Sequence, residues 1–473
     1  MPTVRVRPAG WTIATIASSF AVVVALRVNA LAGLALALAV LLFALVAFVP
    51  VSTTAGLLVV AAFITRFKVQ IPGLGFRFEH FALALLLLAC FLHARREVLR
   101  RMPTRPELAA IAFVVWAAVS SVANSPSIGK SLTIVGWYVM DVVILWLLVG
   151  LIQAGDVGWD DLARVGLWAG AVAGWLAAVL WLVALVHGGM FGVQYDYATG
   201  NIAAYGLSSE ANILGSQSAL WLGIALTLAR RHGQRIPMLM LLGLLAGLVT
   251  SLTRAAWLAA AVMFGVAFLV AGSKSRRYRE RRRHRGRSAS PIRALATTTA
   301  AAAFFVAVVI GGGALVGKGL VLFQYRQTTG AYRLNTATTA LTDLREAGWH
   351  SLVGLGTNSY GQRHEDFTIP GHPPGYLSIL PLVVVYDTGV IGAVLAAAFA
   401  VGVLRRGRFG PGTHAGILAA LLVAATATNP MWFAFVWVVI ALLLTAVDPP
   451  PSRGAGGATE GELRAVAPAL EPA

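Results

Sequence analysis

Three cationic side chains stand where apolar runs begin or end: Arg254 in TSLTRAAWLAAAV, Arg333 in QYRQTTGAYRLNTATTAL and His372 in GHPPGYLSIL. A guanidinium is permanently charged, and its planar fork fits two oxygens of a phosphate at once. An arginine fixed at a helix end therefore suits a phosphate-type anion. The plain alternative for Arg254 is a side chain snorkelling to a membrane interface. Arg333 opens a helical stretch in which Leu334, Ala337 and Leu341 are available to pack the helix down, aiming its charge at the membrane boundary. His372 is wedged between Gly371 and two prolines just before a long apolar run, where the plain reading is an interfacial residue at a helix start. Around these stand Arg326, Arg345, Arg363, His350 and His364, and the acids Asp196, Glu210, Asp343, Glu346, Glu365 and Asp366. The histidines lack the i, i+4 spacing of a zinc helix, the chain has 1 cysteine, and no D-x-D borders an apolar run. A site handling an anion here would rely on arginine, with no metal and no cofactor implied.

The elements that would carry these groups are membrane helices. The chain has 473 residues, of which 58% are hydrophobic and 12% charged, against about 25% charged in an ordinary soluble domain; its mean hydropathy is +0.77. Apolar runs of about 17–25 residues recur from end to end, the length a helix needs to cross a hydrocarbon core. Alternating barrel-type strands are absent, which leaves helices as the way to satisfy the backbone in lipid. The fold class expected is an all-α polytopic membrane protein. Its spans fall near 11–29, 31–49, 51–65, 80–93, 107–123, 131–152, 162–186, 210–229, 236–252, 255–272, 294–316, 375–404, 413–428 and 431–447, with about twelve spans as the alternative count. Cys90, in ALLLLACFL, reads as a packed core residue.

The net charge of +18 does not point to nucleic acid, because the basic residues sit in short loops between apolar runs, where they set orientation. SKSRRYRERRRHRGRSASPIR (273–293) is expected to be cytoplasmic, with 93–106, 230–235 and 405–410 on the same side. RFKVQIPGLGFRF (66–78) then falls outside, although it is basic for an outer loop. The organisation expected is membrane helices over 1–316 with an outer loop at 187–209, an extracytoplasmic cap over 317–374, further membrane helices over 375–447, and a disordered cytoplasmic tail over 448–473. TTALTDLREAGWHSLVG has helical character, so the cap should be partly helical. Richness in Ala, Gly, Val and Arg with little Lys fits a high-GC bacterium and its cytoplasmic membrane.

TRAAWLA (253–259), YRLNTATTALTDLREAGWHSLVGLGTNSY (332–360) and GHPPGYLSILPLVVVYDTGVIG (371–392) follow in the order seen in the O-antigen ligase and polymerase superfamily, which this chain resembles. GLSSEANILGSQSAL (206–220), with Glu210 and Asn212, is similar to a further segment of that family. The resemblance covers about 206–392. It implies a GT-C-like fold and an inverting, metal-independent glycosyl transfer from a polyprenyl-diphosphate donor to an acceptor hydroxyl at the outer leaflet. It also implies that Arg254 and Arg333 bind the donor diphosphate and that His372 activates the acceptor, with Arg326, Tyr376 and Asp387 as further candidates. Two departures stand out. Pro373 replaces the family's asparagine, and Asp387 replaces a family acid conservatively. The physical account is compatible: charge builds on the leaving diphosphate, and each arginine contact is worth about 1.5–3 kcal/mol there.

A reading from another class is a lipid-linked oligosaccharide flippase or exporter. Transporters show internal repeats and ionisable residues at mid-membrane. No repeat is visible, and Asp141 in WYVMDVVIL is the main mid-span charge.

Overall fold

A computed structural model describes residues 46–71, 74–93, 95–196, 201–232, 236–282, 329–364, 377–406, 411–426 and 428–446. The expected spans at 11–29 and 294–316, nearly all of that at 31–49, and the tail lie outside these residues, as do Arg326, His372 and Tyr376. Each of the other eleven expected spans coincides with a helix.

In chain order these are α1 (Val51–Ala61), a hairpin of β1 (Lys68–Ile71) and β2 (Leu74–Arg77), α2 (Phe78–Leu92), a short α3 (Arg96–Arg100), α4 (Arg105–Asn124), α5 (Ile128–Ala154) and α6 (Trp159–His187). A second hairpin follows, β3 (Val193–Asp196) and β4 (Asn201–Ala204), then α7 (Ala211–His232), α8 (Met238–Thr250) and α9 (Arg254–Arg282). The stretch expected to form the cap contributes, among the described residues, α10 (Thr329–Glu346), α11 (His350–Val353) and α12 (Tyr360–Arg363). The last described elements are α13 (Leu380–Arg406), α14 (Pro411–Ala425), a 3-10 turn (Pro430–Trp432) and α15 (Ala434–Thr445). Both hairpins are antiparallel. They depart from a purely helical expectation, and the reason is local: where the chain leaves a helix, its backbone polar groups still need partners, and a short ladder supplies them.

Among the described residues, five helices are long and apolar enough to cross a membrane: α4, α5, α6, Ala211–Arg230 of α7, and α13. The protein is a helix-dominated membrane protein. Local sequence sets the helix ends. At the start of α4 the Thr104 amide donates to Glu107 Oε2 at 2.7 Å, with Pro106 in the first turn. Gly155 and Gly188, at φ 76° and 70°, end α5 and α6 in the left-handed conformation that glycine tolerates.

Contacts between distant segments define the two ends of the bundle. At the basic end, Arg95 pairs with Asp156 at 2.8 Å, Trp159 Nε1 donates to Leu442 O, and Gly402 lies against Pro106. At the opposite, loop-bearing end, α4 and α5 meet the 354–358 segment and α13, as described below.

Close helix approach runs on small residues, as expected where lipid removes most of the hydrophobic drive between helices. Gly166, Gly170 and Gly174 repeat every fourth residue along α6, and Gly243 and Gly247 do so along α8. A methyl built on Gly174 would overlap Gly243 O, and one on Gly166 would run into the Trp221 ring. Gly416 on α14 likewise packs on the Met263 carbonyl of α9. Cys90 is buried, as expected. Because Gly174 faces Gly247, α8 stops three residues further on while α6 continues to His187. The end of α8 is therefore set about 15 Å below the tip of α6.

Candidate functional site

Arg254 is the first residue of α9, and the turn before it is held rigidly. Trp257 Nε1 donates to Leu248 O at 2.8 Å, Ser251 Oγ donates to the same carbonyl at 2.8 Å, and the Ala256 and Trp257 amides both donate to Thr253 O at 3.1 Å. Leu252 sits at φ 49°, a conformation that costs a residue with a Cβ about 1–2 kcal/mol. The sequence TRAAW thus has a physical meaning: Trp257 latches the turn, and Ala256 lets it close on α7. A methyl on Gly215 would lie 2.7 Å from Ala256 Cβ and 2.8 Å from Ser251 Oγ. Arg254 is half-buried, and among the described residues none hydrogen-bonds or ion-pairs with its side chain.

That contact brings Arg254 beside the 206–215 segment. Glu210 precedes α7 and its carbonyl accepts from the Ile213 and Leu214 amides; Asn212 O accepts from Ser216 Oγ at 2.7 Å. The segment is tied in turn to the end of α1. The Arg66 amide donates to Leu207 O at 3.1 Å, the Ser209 amide donates to Thr65 Oγ1 at 2.9 Å, Ser208 Oγ donates to Gln217 Oε1 at 2.7 Å, and Gln217 Nε2 donates to Ala62 O at 3.2 Å.

The second part of the site joins the cap to α13. Gly389, at φ 66° and ψ −168°, breaks α13 internally, which would strand the carbonyls just before it. Four donors take them up: the Leu355 amide on Tyr386 O at 2.8 Å, the Gly356 amide on Asp387 O at 3.0 Å, Ser120 Oγ on Asp387 O at 2.6 Å and Trp116 Nε1 on Thr388 O at 2.8 Å. Asp387 is buried, and its Oδ2 accepts the Asn358 amide at 2.9 Å. The glycines of GLGTNS and of YDTGVIG are thus matched surfaces. Gly354 and Gly389 pass so closely that a side chain on either would strike the other's backbone. Asn124 Nδ2 on Gly354 O and Ser131 Oγ on Thr357 O complete the seal, at 2.7 and 2.6 Å.

Arg333 lies near the start of α10, half-buried, with its carbonyl accepting from Thr336 Oγ1. The packed face of α10 differs from the expected one. Leu334 and Leu341 are exposed and Ala337 half-buried, whereas Thr336, Ala340 and Leu344 are buried. The cause is Asp343, on the buried side. Its Oδ2 accepts Tyr386 OH at 2.6 Å and meets His364 Nε2 at 2.6 Å, fixing the helix rotation. Tyr360, Leu355, Leu377 and Tyr386 pack with Ala340 and Leu344 in one cluster beneath it.

The structure therefore sorts the candidates. It joins Arg254 to the segment of Glu210 and Asn212, and it joins Asp387 to the cap that carries Arg333, on a different set of helices. Sequence reading missed Arg66 and Arg77, and it named Asp343 and His364 without joining them to each other or to Tyr386. The two arginines explain the basic 66–78 loop. Arg66 lies between the rings of Phe191 and Tyr205, at 4.6 and 4.8 Å. Arg77 is 2% exposed, 4.5 Å from both the Trp137 and Phe433 rings, with Nη1 on Trp432 O and Glu79 at 3.6 Å. Neither is a free surface charge. The available signal was the breach of the positive-inside pattern itself. Among the described residues no cluster of three or more His, Cys, Asp or Glu suited to a metal ion occurs.

Compared with known proteins, the chain matches no protein-family model and no curated protein.

Proposed function

We propose that this protein is a glycosyltransferase of the O-antigen ligase and polymerase type, with a GT-C-like architecture, in a bacterial cytoplasmic membrane. It moves a glycan from a polyprenyl diphosphate to an acceptor hydroxyl at the outer leaflet, inverting the anomeric centre and using no metal. The observation that carries this reading is Arg254: a guanidinium without a protein counter-charge among the described residues, projected by a strained and multiply latched turn. Such a group is preorganised for an anion that arrives from outside the protein. By the positive-inside rule the end bearing Arg95, Arg96, Arg100, Arg405 and Arg406 is cytoplasmic, so Arg254 and the cap face the other side. The interlock of the 350–360 and 386–392 motifs supports the family reading, because it gives both motifs one structural task. In the reaction, Arg254 and Arg333 hold the diphosphate as its charge grows, and His372 takes the proton of the attacking hydroxyl.

A second reading, transport of the lipid-linked glycan, is favoured by one observation. Arg77, Glu79 and Asp141 are 2%, 1% and 2% exposed inside the helix bundle, and ionisable groups sealed at membrane depth commonly mark transport paths. Proteoliposomes containing this protein, a polyprenyl-diphosphate oligosaccharide and an acceptor glycan with a free hydroxyl separate the two. The enzyme reading expects a glycosylated acceptor and free polyprenyl diphosphate, with EDTA present or absent. Donor translocation without bond transfer would establish the transport reading in its place.

A further inference from the structure

A groove of about 540 Å³ runs between α1 and α6, lined by Val60, Phe63, Trp168, Val172 and Leu207 among others. Its lining is almost wholly apolar, and Trp168 and Val172 are exposed along it. On α6 it reaches from Asp161 to Ala173, about 18 Å of helix, a length that suits part of a long apolar chain. Charge differs between its ends. At the basic end Arg164 is already 3.7 Å from Asp161. At the loop-bearing end the groove finishes at Ile64 and Leu207, and Arg66 stands there with its amide on Leu207 O. Arg66 has no acidic partner among the described residues, and its Nη1 is buried without a hydrogen-bond acceptor. Stacked between Phe191 and Tyr205, the guanidinium keeps its fork in a fixed plane.

We infer that this groove and Arg66 form the docking site of the lipid-linked donor, with the prenyl tail along α6 and a phosphate on Arg66. The inference rests on the proposed function for the identity of the donor. Leu207 belongs to the segment that also abuts the Arg254 turn, so a donor held by its tail here presents its diphosphate on the Arg254 side of the bundle.

The test is binding of a long-chain polyprenyl diphosphate to the detergent-purified full chain, with inorganic pyrophosphate and phosphatidylglycerol micelles as comparison ligands. Arg66→Gln is expected to weaken polyprenyl-diphosphate binding about tenfold or more, and Arg164→Gln to leave it unchanged. Val172→Trp, at an exposed position, is expected to weaken the long-chain ligand but not pyrophosphate. Unchanged binding by both Arg66→Gln and Val172→Trp in a protein that still transfers glycan would overturn the groove assignment alone. Equal competition by phosphatidylglycerol would overturn it in favour of a general anionic-lipid site. A wild-type protein that neither binds the donor nor transfers glycan would remove the proposed function as well.

Discussion

The Asn358 amide donates to the Asp387 carboxylate at 2.9 Å, and Asn358 is held there at φ 55°. This bond pins the GLGTNS turn of the cap to the break in α13 at Gly389. Both residues belong to stretches that carry the resemblance, and the bond gives the acid a task in positioning, away from direct chemistry. Asp387→Ala leaves a buried amide without an acceptor and is expected to cost about 1–3 kcal/mol in thermal unfolding. Asp387→Asn retains an acceptor oxygen and is expected to lose less than half as much. Equal losses would show that the charge, not the hydrogen bond, holds the turn.

Gly174 and Gly136 make a matched pair for testing the helix crossing. A side chain on Gly174 meets the Gly243 carbonyl, whereas one on Gly136 meets nothing within 4 Å. Gly174→Leu is expected to separate α6 from α8 and to remove most monodisperse protein from size-exclusion chromatography. Gly136→Leu is expected to elute as wild type. The backbone on the far side of Gly174 cannot yield as a flexible side chain would, so the loss should exceed the about 1–3 kcal/mol typical of overpacking.

Arg77 is surrounded on every side by groups that need a flat cation: Trp137 and Phe433 on its faces, Glu79 and Trp432 O at its edge. Arg77→Ala is expected to destabilise by about 3–5 kcal/mol, because it leaves buried carboxyl groups uncompensated. Arg77→Lys should recover little, since an ammonium neither stacks nor forks. Removing the acid as well, in Arg77→Met with Glu79→Gln, should return part of the loss, as read from denaturant unfolding of all four proteins of the cycle.

The corrected face of α10 gives a simple contrast. Ala340 is buried on the packed face of α10 while its neighbour Leu341 is exposed. Ala340→Leu is expected to cost about 1–3 kcal/mol, and Leu341→Ser to stay within about 0.5 kcal/mol of wild type. Thermal unfolding of the two variants side by side decides which face is packed.

These contrasts also mark how far the chain could be read unaided. Helix positions were legible because an apolar run of membrane length has few other solutions, and every expected span within the described residues is a helix. The place of Arg254 at a turn was legible, since the expected spans 236–252 and 255–272 leave almost no chain between them, but the latch that Trp257 makes on Leu248 O was not. The face of α10 was not. Its leucines pointed one way, and the deciding bonds come from Tyr386 and His364, far along the chain from most of α10. Arg66 and Arg77 were seen only as an excess of charge, because the rings that enclose them come from sequence more than fifty residues away. Long-range packing of this kind leaves no local periodicity to detect.

The central claim is that an arginine-built, metal-free site transfers the glycan. Its most direct measurement is single-turnover transfer from a polyprenyl-diphosphate oligosaccharide by purified protein in EDTA, comparing wild type with Arg254→Ala, Arg333→Ala and His372→Ala. The account expects full wild-type transfer in EDTA. It expects losses of at least about tenfold for each arginine, the effect of one charge-assisted bond, and about 10²-fold or more for the histidine, the usual range for a lost general base. Transfer that stops in EDTA and returns with a divalent cation, or that proceeds unchanged in Arg254→Ala and His372→Ala, would contradict it.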